Sequence, residues 1–255
     1  MTPDEAVREL AATERLLVAL DFDGTLAPLQ DDPMASRMTP DAAAAVAALV
    51  AAPKTTVAFV SGRALRDLRV IADHDDDSSI LLAGSHGAEQ WPTDADVTAD
   101  GAAEVLRDEL CTRAEMAVAG CEGAWIEHKE FGFALHTRLA RPAAASEAAR
   151  AVDAIVAATA PEWRRRTGHD ILEFSFREEG KDVAVARLRR LTAATAVLFA
   201  GDDVTDEDAL RSLGPGDVGV RVGPGETAAA VRVGDITELA EMLVHLARER
   251  TLARQ

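Results

Sequence analysis

Carboxylates gather at two places in this 255-residue chain, each where an apolar run stops. Asp21 and Asp23 follow the run at residues 16–20, and Asp202, Asp203 and Asp206 follow the run at residues 196–200. Five carboxylates brought to one crevice repel strongly unless a cation or protons intervene. An all-oxygen donor set suits Mg²⁺, which takes carboxylates, carbonyls and waters. In Asp21-x-Asp23 the first carboxylate can face a substrate and a metal together. The second can sit across the reacting atom and give or take a proton. A carboxylate nucleophile that forms an acyl-phosphate is an established covalent strategy, and a metal then neutralises charge on the transferring phosphoryl group. The competing reading of the same residues is a solvated Asp turn with Gly24 at positive φ.

Other segments supply groups that suit an anion. Ser61-Gly62-Arg63 is expected to open a helix, where a hydroxyl and free backbone N–H groups make an anion site. A plain Ser N-cap would use the same residues. Lys181 is one of only three lysines among 27 basic residues and is predicted at the start of a helix, where the dipole prefers acids. That local conflict points to a phosphate-side role. Within residues 201–208, capping of a helix accounts for Asp206, Glu207 and Asp208 but poorly for Asp202 and Asp203. His86 and Glu89 follow a third apolar run, at residues 80–83.

The elements that must position these groups are legible in the hydrophobic pattern. The run at 16–20, apolar throughout, predicts a strand buried on both faces; 56–60, 80–83 and 196–200 predict further short buried strands, and another strand is predicted near 218–222. They alternate with predicted helices at 41–52, 181–191, 206–213 and 237–250, the pattern of a parallel sheet, in which ligands bind beyond the carboxyl ends of the strands. The middle of the chain differs. Predicted helices at 102–119 and 143–159 separate period-2 segments at 124–129, 131–138, 163–167 and 170–176, which predict antiparallel hairpins. That period places Glu127 with Lys129, and His136 with Arg138, on single strand faces, and Glu173 opposite Leu172 and Phe174. If the hairpins form one sheet, these residues make a polar patch suited to hydroxyl-rich ligands; a solvated outer face is the alternative. Arg164, Arg165 and Arg166 read as solvated charge, and Trp125 as a packing or edge residue.

Composition narrows the classes. Hydrophobic residues make up 48% and the formal charge is −17, which fits a globular protein and argues against nucleic-acid or anionic-membrane partners. Two cysteines cannot build a disulfide framework or a zinc cluster. With no leader-like segment at its start and no apolar run near membrane length, the sequence is expected to act in the cytoplasm, as a monomer.

Taken together, the motifs resemble those of the haloacid dehalogenase superfamily and, within it, the trehalose-6-phosphate phosphatase family. Asp21-Phe22-Asp23-Gly24-Thr25-Leu26, Ser61-Gly62-Arg63, Lys181 and Gly201-Asp202-Asp203-x-Thr205-Asp206-Glu207-Asp208 match the four superfamily signatures in order. The segment 84–89 resembles the family's Gly-x-His-Gly-x-Glu, and residues 126–138 its Glu-x-Lys then His-x-Arg pattern. The resemblance implies an α/β fold: a Rossmann-like core with a parallel sheet (residues 1–97 and 178–255) and an inserted αββαββ cap (98–177). It implies Asp21 as nucleophile and Asp23 as acid and base, with Ser61 and Lys181 gripping the phosphoryl oxygens. Mg²⁺ would be held by Asp21, the Asp23 carbonyl and Asp202, with Asp203 and Asp206 orienting that set. Arg63, His86, Glu89, Glu127, Lys129, His136, Arg138 and Glu173 would bind substrate. The implied substrate is trehalose 6-phosphate, with a functional link to a trehalose-6-phosphate synthase. Two other readings stay open: another capped sugar phosphatase, acting on sucrose-phosphate or a glucosylglycerate-type phosphate, and a non-catalytic sugar-phosphate-binding partner of the synthase.

Overall fold

A computed structural model describes residues 1–92, 101–168 and 170–253. The chain divides into two compact units, Met1–Ala95 with Glu179–Gln255, and Asp96–Glu178. The boundary expected at residues 97/98 lies outside the described residues, as does His169.

The first unit begins with α1 (Pro3–Ala11), closed by a capping box between Thr2 and Glu5. Then come β1 (Leu16–Leu20), α2 (Pro40–Ala51), β2 (Thr55–Val60), α3 (Leu65–Ile71), β3 (Leu81–Gly84) and β4 (Glu89–Trp91). The second unit holds α4 (Gly101–Val118), β5 (Trp125–Lys129), β6 (Gly132–His136), α5 (Pro142–Thr159), β7 (Arg164–Gly168) and β8 (Ile171–Ser175). The chain then completes the first unit with α6 (Lys181–Thr192), β9 (Ala196–Gly201), α7 (Glu207–Ser212), β10 (Val218–Val222), β11 (Val231–Val233) and α8 (Ile236–Leu252).

In the first unit the strand order is β11-β10-β9-β1-β2-β3-β4, parallel throughout except that β4 runs antiparallel to β3. The unbroken apolar run of β1 has a direct cause. Leu16, Val18 and Leu20 pack into a core shared with α1, α2 and α8, whereas Leu17 and Ala19 pack into a second core shared with α6. Each fully buried Leu or Val favours this arrangement by about 1.5–3 kcal/mol over exposure. The chain crosses from β1 to β2 on one side and returns to β9 on the other, so β1 marks a reversal of strand order. Such a switch point leaves a crevice at the carboxyl ends of the central strands.

The second unit is a four-stranded antiparallel sheet, β5-β6-β8-β7. Phe133, Leu135, Leu172 and Phe174 on one sheet face pack with Leu110, Ala114, Val152 and Val156 of α4 and α5.

Two expectations are corrected here. The segment Ser61-Gly62-Arg63 does not open a helix: α3 starts at Leu65, and Glu89 Oε2 accepts from the Leu65 N–H at 2.9 Å. Strand β6 stops at His136: one more in-register bond follows, from the Thr137 N–H to the Asp170 carbonyl, and the chain then turns toward α5. Arg138 therefore lies exposed in a turn, off the strand. The three-residue strands β4 and β11 are additions to the expected set, too short to show a period.

Candidate active site

Asp21 is the first residue after β1, and its N–H still donates to the Ala200 carbonyl of β9, which fixes the backbone where the carboxylate leaves the sheet. Parallel pairing puts the ends of β2 and β9 on either side, so Ser61 and Asp202 flank it. Lys181, at the start of α6, is buried and places Nζ 2.5 Å from Asp21 Oδ1 and 2.7 Å from Asp206 Oδ1. Oxygens of Asp21, Asp202 and Asp206 lie within 4.8 Å of one another. The Thr25 hydroxyl lies 3.3 Å from Asp21 Oδ2 and 3.2 Å from Asp202 Oδ1. Gly24, at φ 82°, has no room for a side chain: a Cβ there would stand 2.1 Å from Asp202 Oδ2. Glycine is thus required twice, by the turn and by the close approach of Asp202.

The electrostatics show what the cluster needs. Three carboxylates face one ammonium, in a buried place. Burial raises the Asp21 carboxyl well above its ordinary range, and Asp206 and Asp202 add to that against the opposing charge of Lys181. Asp202 is pushed up to about 6, by burial first and Asp206 second. Burial alone would lower Lys181, but Asp206 and Asp21 reverse this and hold it above its ordinary value, so it stays charged. A divalent cation with oxygen preference is the natural partner for the negative charge left over, and the all-carboxylate donor set fits Mg²⁺. Asp206 also braces the backbone: its Oδ2 accepts the N–H groups of Asp202 at 3.0 Å and Asp203 at 2.9 Å.

Asp23 faces differently. Arg63 grips its carboxylate with both fork nitrogens, at 2.5 and 2.7 Å, and the Ser36 hydroxyl donates to it at 2.8 Å. Ser61 is buried, and its Oγ accepts from the Arg63 N–H at 3.2 Å. The segment 84–89 is knitted to this loop. The His86 N–H donates to the Ser61 carbonyl, the Ser85 N–H to that of Arg63, and the Ser85 hydroxyl to Glu89 at 2.6 Å. Gly62 leaves space for the His86 ring, whose Nε2 lies 2.6 Å from where a Cβ would stand. Ser36 and Thr25 were not foreseen as partners of the two aspartates. Thr25 stands in the Asp-x-Asp-Gly-Thr segment, whereas nothing in the sequence marks Ser36.

In the antiparallel unit, register carries three rows across the sheet face opposite the helices: Trp125–His136–Ile171–Gly168, Glu127–Ala134–Glu173–Arg166 and Lys129–Gly132–Ser175–Arg164. Lys129 Nζ lies 3.1 Å from Glu173 Oε2, and Arg166 lies 3.8 Å from Glu173 Oε1. The Arg166 side chain is only 9% exposed, so this residue belongs to the patch and is not solvated charge. His136 Nε2 meets Glu127 Oε2 at 2.7 Å, and the His136 ring stacks on Trp125 at 4.6 Å. Burial would raise the Glu127 carboxyl, but the His136 hydrogen bond and the Lys129 charge hold it below its ordinary value.

A sequence model of the trehalose-phosphatase family matches residues 19–235, spanning both the strand-end cluster and the polar sheet face. The chain belongs to the trehalose-phosphatase family. It is 32% identical over 249 residues to a trehalose-phosphate phosphatase of Mycobacterium marinum, covering 92% of this chain and 62% of that protein, so it spans less than two thirds of the relative's length. The fold of this family member is shared with the C-terminal domain of Candida albicans trehalose-6-phosphate phosphatase, at TM-score 0.81, 21% identity and 96% coverage of both chains. It is also shared with a haloacid dehalogenase-like hydrolase from B. subtilis, at TM-score 0.60, 15% identity and coverage of 90% of this chain and 99% of that one. Among the described residues, no helix is long and apolar enough to cross a membrane.

Proposed function

We propose that the chain is a Mg²⁺-dependent phosphatase that hydrolyses trehalose 6-phosphate to trehalose and phosphate. The observation that carries this is the buried Asp21, held at 2.5 Å by Lys181 and ringed by Asp202 and Asp206, in a chain of the trehalose-phosphatase family. An Oδ atom of Asp21 attacks phosphorus while Asp23 gives a proton to the departing sugar oxygen. Asp23 then takes a proton from water, which attacks the aspartyl-phosphate, releases phosphate and restores the Asp21 carboxylate. Lys181 and the Ser61 hydroxyl hold phosphoryl oxygens. Asp21, Asp202 and the Asp23 carbonyl would hold Mg²⁺, which when bound neutralises charge on the transferring phosphoryl group. Asp206 and Asp203 orient this set, and Arg63 fixes the Asp23 carboxylate.

The antiparallel unit acts as the inserted cap, and its polar face selects the sugar. Glu127 and Glu173 accept from hydroxyls, and Lys129 and His136 donate to sugar oxygens. Arg138 adds a further donor to substrate oxygens. His86 and Glu89 shape the loop that carries Ser61 and Arg63. Two buried free thiols, Cys111 and Cys121, suit action in a reducing compartment such as the cytoplasm.

The test is phosphate release from trehalose 6-phosphate, sucrose-phosphate and glucose 6-phosphate, with Mg²⁺ and with chelator. We expect turnover of the first substrate only, lost in chelator and restored by Mg²⁺. Similar rates on all three would refute the specificity. Tight binding without phosphate release would identify a sugar-phosphate-binding partner of a trehalose-6-phosphate synthase instead.

A further inference from the structure

Arg221 is a charged residue in a strand where every other position is Val or Gly and all five are buried. A guanidinium in such a place is tolerated only if its donors are used. Arg221 is 7% exposed and pairs in register with Gly201, the residue before Asp202. Its Nη1 donates to the Asp203 carbonyl at 2.9 Å, and its Nε and Nη2 reach the Pro224 carbonyl at 3.3 and 3.0 Å. Nη1 also lies 3.6 Å from Glu207 Oε1, and the other Glu207 oxygen accepts the Ala228 N–H at 2.9 Å. Gly225, at φ 111°, lines the cradle: a Cβ there would stand 3.2 Å from Nη2.

The Asp202-Asp203 segment is therefore held from two directions. Asp206 takes its N–H groups, and Arg221 takes its outgoing carbonyl. We propose that Arg221 is a positioning residue for the Asp202 carboxylate, setting the affinity of the site for its divalent cation through the Asp203 peptide, with Glu207 as its own counter-charge. This rests on the metal-site reading given above. Partners that orient a ligating carboxylate from outside typically change metal affinity about 10–100-fold when lost. Lysine in place of Arg221 would keep the charge facing Glu207 but lose the fork that spans the carbonyls of Asp203 and Pro224.

The experiment titrates Mn²⁺, as a stand-in for Mg²⁺, into the full chain and reads free Mn²⁺ by electron paramagnetic resonance, with thermal unfolding in parallel. Asp202→Asn should bind Mn²⁺ far more weakly than the unaltered chain. Arg221→Lys and Arg221→Met should each weaken binding by about 10-fold. In turnover assays Arg221→Lys should need correspondingly more Mg²⁺ for half-maximal rate, with KM for trehalose 6-phosphate and kcat at saturating Mg²⁺ unchanged. Gly225→Ala, which presses a Cβ toward Nη2 and strains the backbone at φ 111° beside the Pro224 carbonyl, carries the same direction with a smaller effect should Arg221→Met not fold. Unaltered Mn²⁺ affinity in the Arg221 and Gly225 variants, beside a weakened Asp202→Asn, overturns the role of Arg221 and leaves the metal site standing. Unaltered affinity in Asp202→Asn removes the metal site itself, and this inference with it.

Discussion

The two sheets present chemistry in different ways. In the parallel unit, Asp21, Ser61, Lys181, Asp202 and Asp206 sit just past strand ends or at the entry to a helix, far apart in sequence. Backbone pairing of three neighbouring strands brings most of them together. In the antiparallel unit, Glu127, Lys129, His136, Glu173 and Arg166 sit within strands, and cross-strand register alone sets their rows. The first arrangement is buried, so each charge there acts strongly on its neighbours. The second holds side chains in pairs on one face of a sheet, with Trp125 41% exposed beside them. A strand-end cluster suits bond-making, which needs fixed atoms and low dielectric. A sheet face suits recognition, which needs a breadth of contacts.

Asp21→Asn tests that division most severely. The amide keeps the shape of the side chain but is no nucleophile, so kcat should fall by on the order of 10⁴-fold. Circular dichroism and sugar-phosphate binding should stay near those of the unaltered chain, because the sheet face is untouched. Retained turnover would end the nucleophile assignment, and loss of binding equal to the loss of rate would erase the division between the two sheets.

Legibility in the sequence followed the same division. The strand ends of the parallel unit could be read because burial on both faces turns β1 and β9 into unbroken apolar runs, and an Asp at the end of such a run stands out. The pairing of Lys181 with Asp21 was less open to reading, because the two are 160 positions apart and only the fold brings them together. On the sheet face, period 2 sorted Glu127, Lys129 and Glu173 correctly. It failed for Arg138, because the chain turns just past His136, and for Arg166, where three consecutive arginines hide which one turns inward. Glu89 shows another limit. Its carboxylate serves the α3 N-terminus, a partner 24 positions away that no local pattern announces.

The buried cluster also makes a pH-dependent prediction that the sheet face does not share. The folded Asp202 carboxyl, at about 6, lies above its ordinary 3.8, so the metal-free folded state holds its proton more tightly than the unfolded chain. That proton favours the fold at acid pH, and the benefit is lost as pH rises through about 6, on the order of 3 kcal/mol for this group. Asp21 acts in the same direction. A cation replaces the missing protons, so Mg²⁺ should raise the Tm of the chain by about 4 °C or more at pH 7.5 and by much less at pH 5. Hydrogen exchange should place the added protection in β1 and β9 and leave β5–β8 unchanged. An equal Mg²⁺ effect at both pH values, or one spread over both units, would contradict the assignment of the surplus charge to Asp21, Asp202 and Asp206.

A smaller effect is expected where the sheet face is altered. Glu173 lies between Lys129 and Arg166, and Glu173→Gln keeps its size while removing the charge that both cations face. If this face binds the sugar equally in ground and transition states, the substitution raises KM about 10-fold and changes kcat little. Arg166→Met should shift KM in the same direction and by less, since Arg166 lies farther from the Glu173 carboxylate than Lys129 does. Initial-rate kinetics on trehalose 6-phosphate separate the two parameters. A fall in kcat approaching that of Asp21→Asn, with KM unchanged, would mean that the sheet face takes part in bond-making after all.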